Sequence, residues 1–592
     1  MVMKKRLAVL LVVVLMLLNV VACSSVKTDT QQAATEASNT AATGTADKPG
    51  AAPAIDHSEV YKITAFSQVA NYSGNMTGWF GKVIKDKFNI EINVEPANLD
   101  NGTSKFATKM VSGDLGDIVI FGDNADEYKK AVEAGLLLDW NKDGLVDKYG
   151  QDIKARYSAA LDKNKAQYGG GTAIYGIGHD TSDSNEGPGE IADLVWGPYL
   201  RWDLYAKAGY PQINDMEDYL PVLKQMKDLE PKTADGKPVY AFSFWKDWDG
   251  SHMMNAKQFA CTYGFNDDTG GLVLVHGSRD EYQDLLQTDG YYLRTLKMYF
   301  QANQMGLVDP ESPSQNWDIM YKKAENGQVL FSWFSWLRPY NTDVNKDQGK
   351  GLMLVPFKNE EVYSYGMNIY GGQRISAIGK NAKKPERIME LYDWLCTDDG
   401  SMIQNNGPEG MAWNYKDGKA VLTDLGVKIR GDQNTLIPDE YGGGKYFDGM
   451  NKLNINIINK AAINKKTGEP YDKEGWSYVL NLNPRKVDTD WRTKMGATTS
   501  IEWLQKNVKL AIYKPTKQSV NTTLSDDLKQ ILDQVGSVIK EYSWKMVFAK
   551  NQAEFDKLQN EMITKSKGLG YDKVVAENVK MTQQLFEYRK EK

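Results

Sequence analysis

Ser112-Gly113-Asp114-Leu115-Gly116-Asp117-Ile118-Val119-Ile120-Phe121 is the stretch that decides the fold. Its first half is turn chemistry, with small, Gly and Asp residues. Its second half, Asp117 to Phe121, reads as a buried strand, the apolar run Ile118 to Phe121 being the pattern of a strand covered on both faces. Helical patterns flank it, at Ser104 to Val111 and at Ala125 to Ala134. Upstream the alternation repeats. Val60 to Phe66 reads as a strand and Thr77 to Phe88 as an amphipathic helix carrying Trp79, Phe80, Val83, Ile84 and Phe88, before a second strand at Ile90 to Val94. Strands separated by short helices require crossovers, which predicts an α/β fold around a mainly parallel sheet. In such sheets the ligand edge lies at the carboxyl ends of the strands.

Downstream, a Gly-rich polar break from Gly169 to Gly189 suits a crossing between lobes. Beyond it the patterns predict helices at Arg201–Ala208, Met216–Asp228, Ser251–Tyr263 and Glu281–Met305, and strands at Val239–Phe244, Val329–Trp333 and Leu352–Val355. Tyr370 to Ile378 reads as a turn into a strand that returns to the first lobe. Helices follow at Pro385–Leu395, Gly400–Asn405, Ser525–Glu541 and Gln552–Leu569, with a last one to about Arg589. No repeat period argues for a solenoid.

The chain begins with Lys4-Lys5-Arg6, an apolar run from Leu7 to Leu18, and Val20-Val21-Ala22-Cys23. Basic residues, a short apolar run and small residues before a cut site are what a secretory signal requires. The run is shorter than the roughly 20 residues of a membrane-spanning helix. Val20–Cys23 resembles the lipobox of bacterial lipoproteins, which implies cleavage after Ala22 and acylation of Cys23. Ser24 to Pro53 is Ser, Thr, Ala, Gln, Asp and Gly, too poor in apolar surface to offset its ordering entropy, and reads as a tether.

The remainder, 58–592, exceeds a single core and implies two or more domains. Aromatics make up 11% of the chain, with 15 Trp and 32 Tyr, a heavy load that suits stacking on sugar rings. The net charge of -6 and the lack of a basic stripe argue against nucleic acid. Cys261 and Cys396 are expected to be free buried thiols, and the scattered His57, His179, His252 and His276 give no zinc spacing. No cofactor is expected.

Several segments taken together resemble the family 1 extracellular solute-binding proteins of ABC importers. Ser112–Val119 resembles the family's small–Gly–Asp–x–x–Asp–apolar segment, and Ala134-Gly135-Leu136-Leu137-Leu138-Asp139 the one after it. Tyr199-Leu200-Arg201-Trp202-Asp203, running to Lys207-Ala208-Gly209, is similar to the opening of its second lobe. Asn326–Trp333 and Lys384–Leu395 with Asp398-Asp399-Gly400 are similar to later landmarks. The size and Gly407-Pro408-Glu409-Gly410-Met411-Ala412-Trp413 resemble the large lipoprotein branch of Gram-positive bacteria. The resemblance implies a two-lobe, type II periplasmic-binding-protein-like α/β fold closing over a solute. The implied organisation is a signal peptide at 1–22 and a lipidated Cys23 with tether to 57. An N-terminal lobe takes 58–178 plus about 367–430, and a C-terminal lobe 179–366 plus about 431–592 with a helical extension. The lobes are expected to rotate about crossings near Asp180–Gly189, Met367–Gly372 and a later strand.

Candidate ligand residues lie in loops after strands: Asn71 and Tyr72 after the first, Phe121, Asp123 and Asn124 at the third. The second lobe offers Trp245, Asp247, Trp248, Trp333, Trp336 and Arg338, and the late loop Glu409 and Trp413. Aromatic faces with fixed polar groups suit a carbohydrate, the expected ligand being an oligosaccharide. The structural alternative is that tryptophans such as Trp79, Trp394 and Trp503 pack in the core, and that Asp123 is a helix cap. Asp139-Trp140-Asn141-Lys142-Asp143-Gly144-Leu145-Val146-Asp147 matches the first half of a calcium loop of the EF-hand kind, but Gly150 stands where the bidentate Glu belongs, so no metal is expected. No GxSxG, GxxxxGK[ST] or HExxH occurs, and no enzyme is expected. The rivals are a surface glycoside hydrolase, whose carboxylates would stand roughly 5–9.5 Å apart, and a sensor component reporting to a membrane kinase. The expected setting is the extracellular face of the cell membrane, as a lipid-anchored monomer that serves the membrane subunits of an importer; the ligand could also be a peptide or another polar solute.

Overall fold

The computed structural model describes residues 54–97, 102–123 and 125–591. The signal peptide, Cys23, nearly all of the tether and Asn124 fall outside the described residues. In chain order the strands that position the site are β1 (Tyr61–Ser67), β2 (Gly74–Asn75), β3 (Ile90–Pro96), β4 (Ile118–Phe121) and β5 (Ile177–Gly178). They continue with β6 (Trp196–Arg201), β7 (Phe331–Phe334), β8 (Leu352–Leu354) and β9 (Ile375–Ile378).

The first sheet has the order β2-β3-β1-β4-β9-β5. β1 pairs in parallel with β3 and β4, while β9 returns antiparallel to β4, with Ile375 opposite Phe121 and Ile378 opposite Ile118. All four residues of β4 are buried, as its unbroken apolar run requires. One face of the sheet carries Ile63, Ala65, Ile118 and Ile120 into a core with Trp79, Phe80 and Ile84 of the helix Gly78–Phe88. The other face carries Phe66, Val119 and Phe121 into a smaller core with Phe106 and Tyr128. The helix Pro385–Leu395, with Pro at its first turn, packs on the larger side through Ile388, Met389, Leu391 and Tyr392.

The second sheet is antiparallel, in the order β7-β6-β8. The expected strand at Val239–Phe244 makes only isolated bridges, Tyr240 to Val329 and Phe242 to Val308, both parallel. It therefore runs beside β7 and ends at the same edge. The expected helix at Glu281–Met305 is corrected. Tyr282–Asp284 is a strand paired with Val273–His276, and the helix is Tyr291–Gln304. Gly290, the N-cap, marks the break. Three C-terminal helices, Asp526–Val547, Gln552–Gly568 and Tyr571–Lys590, pack on the second core through Val535, Ile539, Phe555 and Tyr571.

The chain passes between the cores three times, from Ile177 to Leu194, from Tyr363 to Met367, and from Val479 to Val487. The expected boundary near 430 is corrected, because Ile437 to Val479 packs in the first core. There Tyr446 stacks on Trp79 with centroids 5.4 Å apart, and Trp476 meets Trp413 at 6.0 Å. At the crossings, Thr181 bridges Ile458 and Pro188 bridges Gly366. Gly178 and Gly371 approach so closely that a Cβ on Gly371, whose φ is +69°, would lie 2.9 Å from the Gly178 Cα. Only glycine fits both conditions. Cys261 and Cys396 are free and buried, in different cores. Among the described residues, no helix is long and apolar enough to cross a membrane.

Candidate functional site

Because Phe244 and β7 end at one edge of the second sheet, the residues beyond them converge. Trp245 and Trp333 lie nearly parallel, 6.2 Å apart with an interplanar angle of 6°, and both are buried. Trp248 meets Trp245 edge-on at 5.2 Å and stacks on Trp317 at 4.4 Å. Trp336 completes the group, 5.8 Å from Trp248 and 5.9 Å from Trp317, and stacks on Phe334 at 4.7 Å. Trp248 is 42% exposed and Trp336 50%. Two exposed indoles held over buried ones form a rigid apolar shelf, a costly surface to leave in water unless it receives something.

Trp317, absent from the sequence candidates, opens the helix Trp317–Glu325. Its N–H donates to Asp247 at 2.7 Å, and Asn316 caps the helix by accepting from the Ile319 N–H at 3.0 Å. The signal was legible: an Asn cap followed by Trp, at a helix start that must sit at a sheet edge. Asp247 thus positions a ring of the shelf rather than standing free.

Trp336 borders a cavity of about 810 Å³ between the two cores. From the second core come Ser335, Arg338, Asp343, Lys346 and Trp491, and from the first-core side Val427, Arg430, Glu474 and Leu480. Arg338 pairs with Asp193 at 2.6 Å and lies over the Tyr199 ring at 4.7 Å. Ser500 donates to the other Asp193 oxygen. The wall is therefore a fixed polar network beside an aromatic shelf, the composition that recognises a sugar.

The structure thus brings together Trp245, Asp247, Trp248, Trp333, Trp336 and Arg338. The other candidates lie elsewhere. Phe121 is corrected to a core residue, fully buried with Tyr128 edge-on at 5.0 Å. The alternation of β4 turns it inward between sheet and helix. Trp413 is likewise buried, its Nε1 donating to the Gly407 carbonyl at 2.7 Å. It starts the hairpin Trp413–Lys416 and Lys419–Leu422, whose inner face must cover Trp476. Glu409 is exposed on the preceding turn. Asn71 is exposed at the carboxyl end of β1, and Tyr72 donates to the Asn75 carbonyl at 2.7 Å beneath Lys452. Asp123 binds Arg374 through both oxygens, closest at 3.0 Å, and lines a separate cavity of about 400 Å³ with Tyr168 and Tyr370. Asn124 lies outside the described residues.

In the calcium-like segment, the Asp139 carboxylate accepts the Asn141 and Ile174 N–H groups, each at 3.0 Å. Lys148 donates to the Asp143 carbonyl at 2.7 Å, and Lys154 pairs with Asp147 at 2.6 Å. These groups tie the loop to Ile174 and to the helices that follow it. Among the described residues, no cluster of three His, Cys, Asp or Glu could hold a metal.

No family model matches the chain, and no curated protein matches its sequence. Solved structures do match. An EF-hand mutant of the ABC-transporter substrate-binding protein FusA of Streptococcus pneumoniae, in complex with fructo-nystose, has a TM-score of 0.56 at 14% identity, covering 89% of this chain and 99% of that one. An HMO-binding, ABC-transporter-associated solute-binding protein of Bifidobacterium longum infantis has 0.55 at 13%, covering 90% and 99%. The N-glycan transport solute-binding protein NgtS of Streptococcus pneumoniae has 0.51 at 16%, covering 90% and 100%. The fold is the two-lobe periplasmic-binding-protein-like α/β fold.

Proposed function

We propose that this chain is an extracellular, lipid-anchored solute-binding protein that captures an oligosaccharide by lobe closure and delivers it to an ABC importer. The observation that carries the reading is the exposed shelf of Trp248 and Trp336, of which Trp336 borders a cavity between the lobes. A pyranose presents an apolar face to such rings and its hydroxyls to the Asp193–Arg338 network. Ligand touching both lobes binds the closed form better than the open one and shifts the population toward closure. The structural neighbours are binding proteins of ABC transporters, and those named bind or transport glycans. Attachment through Cys23 and a position outside the cell membrane follow from the lipobox-like Val20–Cys23. The body is held close to the importer on its tether, with no chemistry performed on the ligand.

The test is a thermal-shift panel of mono- and oligosaccharides and peptides, with the ligand recovered and weighed afterwards. A ligand at 100 times its Kd stabilises by about 2.7 kcal/mol. A shift with an oligosaccharide recovered intact is the expected result. Cleavage of that sugar, or shifts with peptides alone, would overturn it.

A further inference from the structure

We infer that the ligand is an uncharged glycan, carrying neither carboxylate nor amine; the inference rests on the proposed sugar-binding reading. The cavity wall is dense in charge, and all but one of its cations are matched by carboxylates. Arg338 is held by Asp193 at 2.6 Å, Lys346 by Asp488 at 3.0 Å, and Arg485 by Asp343 at 2.8 Å and Asp347 at 3.0 Å. Across the cavity, Arg430 is held by Glu474 at 2.9 Å. The remaining guanidinium, that of Arg492, donates to the Leu480 carbonyl at 2.7 Å and the Thr498 carbonyl at 3.1 Å.

A uronate entering this space would have to displace a resident carboxylate from its cation or compete with the two carbonyls that already occupy Arg492, and an amino sugar would have to displace a resident cation. Either exchange leaves one wall charge without its partner, which is most unfavourable at the partly buried Arg338–Asp193 and Lys346–Asp488 pairs. A hydroxyl group needs no such exchange. It both donates and accepts, so it can bond to a spare guanidinium N–H and a spare carboxylate lone pair of one ion pair without separating them. The wall therefore suits neutral polyols and disfavours both signs of charge.

The experiment is isothermal titration of the full-length chain in detergent with three oligosaccharide series of matched length. These are neutral gluco-, galacto- and manno-oligosaccharides, oligogalacturonides, and deacetylated chito-oligosaccharides. Binding of a neutral series, insensitive to salt and at least about tenfold tighter than either charged series, is expected; tenfold corresponds to about 1.4 kcal/mol. A charged series that binds as tightly as the neutral one, or tighter, overturns the inference and leaves sugar binding standing. Heat from peptides alone overturns both.

A gain-of-function variant gives a second reading. Glu474→Gln frees Arg430 in an exposed pair whose loss costs the fold little. It should bring oligogalacturonide affinity to within about tenfold of the neutral series. Asp488→Asn, which frees Lys346, serves the same end on the opposite wall. Failure of both folded variants to gain any affinity for the acidic series contradicts the charge argument.

Discussion

Truncating Trp336 to Ala separates the shelf's role in binding from its role in folding. Trp336 is half exposed and touches the rest of the shelf through Phe334 at 4.7 Å and through Trp248 and Trp317 at 5.8 and 5.9 Å. Its removal opens a gap to solvent and not a void in the core, so stability should fall by only about 1 kcal/mol. A sugar ring loses one of its two exposed platforms, worth about 1–3 kcal/mol, or roughly five- to 150-fold in Kd. Trp245 is the control. It is 1% exposed and enclosed by Trp248, Trp317 and Trp333, so Trp245→Ala should cost about 3–5 kcal/mol of stability. Titration calorimetry and thermal melts on the same preparations read both quantities. Native-like melting with unchanged Kd in both Trp336→Ala and Trp248→Ala would refute the assignment of the shelf as ligand platform.

Glu360 is 1% exposed, accepts one hydrogen bond from the Phe357 N–H at 3.3 Å, and leaves its other oxygen unpaired. Burial pushes its carboxyl from 4.5 up to about 8. The fold thus favours the protonated form, so stability is fullest below about 4.5, falls as pH rises toward 8 and levels off above. Glu360→Gln should flatten that window and be the more stable protein at pH 9, by an amount on the order of a few kcal/mol, as measured by urea denaturation across pH. Arg201 is fully buried with Asp203 at 2.9 Å and Glu230 at 3.0 Å. Asp203→Ala should therefore lower stability by about 3 kcal/mol or more while leaving the Kd of the surviving folded protein unchanged. Calcium and chelator should leave the melting temperature alike, because Lys148 and Lys154 already bond the carbonyl and carboxylate of the Asp139–Asp147 loop; a calcium-dependent rise would contradict that description.

What the sequence made legible was whatever rests on local period. β4 and the helices Gly78–Phe88 and Pro385–Leu395 stand where apolar spacing and the Lys384-Pro385 start put them. Tyr282–Asp284 was hidden inside a helical pattern because its pairing with Val273–His276 is a tertiary fact. Ile437 to Val479 has little regular structure, so nothing periodic disclosed that its isoleucines fill the first core. At the site, spacing showed that Trp245 and Trp248, and Trp333 and Trp336, follow strands. It could not show that both strands end at one edge, which is what brings in Trp317. Phe121 ends a strand and Trp413 begins one, each beside a loop of the right kind, but burial depends on what covers them, Tyr128 on the following helix for Phe121 and the sequence-distant Trp476 for Trp413. The Tyr199-Arg201-Asp203 motif, read as a landmark, is a buried ion pair holding the start of the second lobe.

The most direct test of the central claim is a crystal structure of the chain with the oligosaccharide that gives the largest thermal shift. A sugar ring lying flat on Trp336 or Trp248, its hydroxyls bonded within the Asp193–Arg338 wall and its far side touched by first-lobe residues near Arg430 or Leu480, is the predicted result. Ligand density away from the shelf, or a sugar held by one lobe alone, would contradict the account.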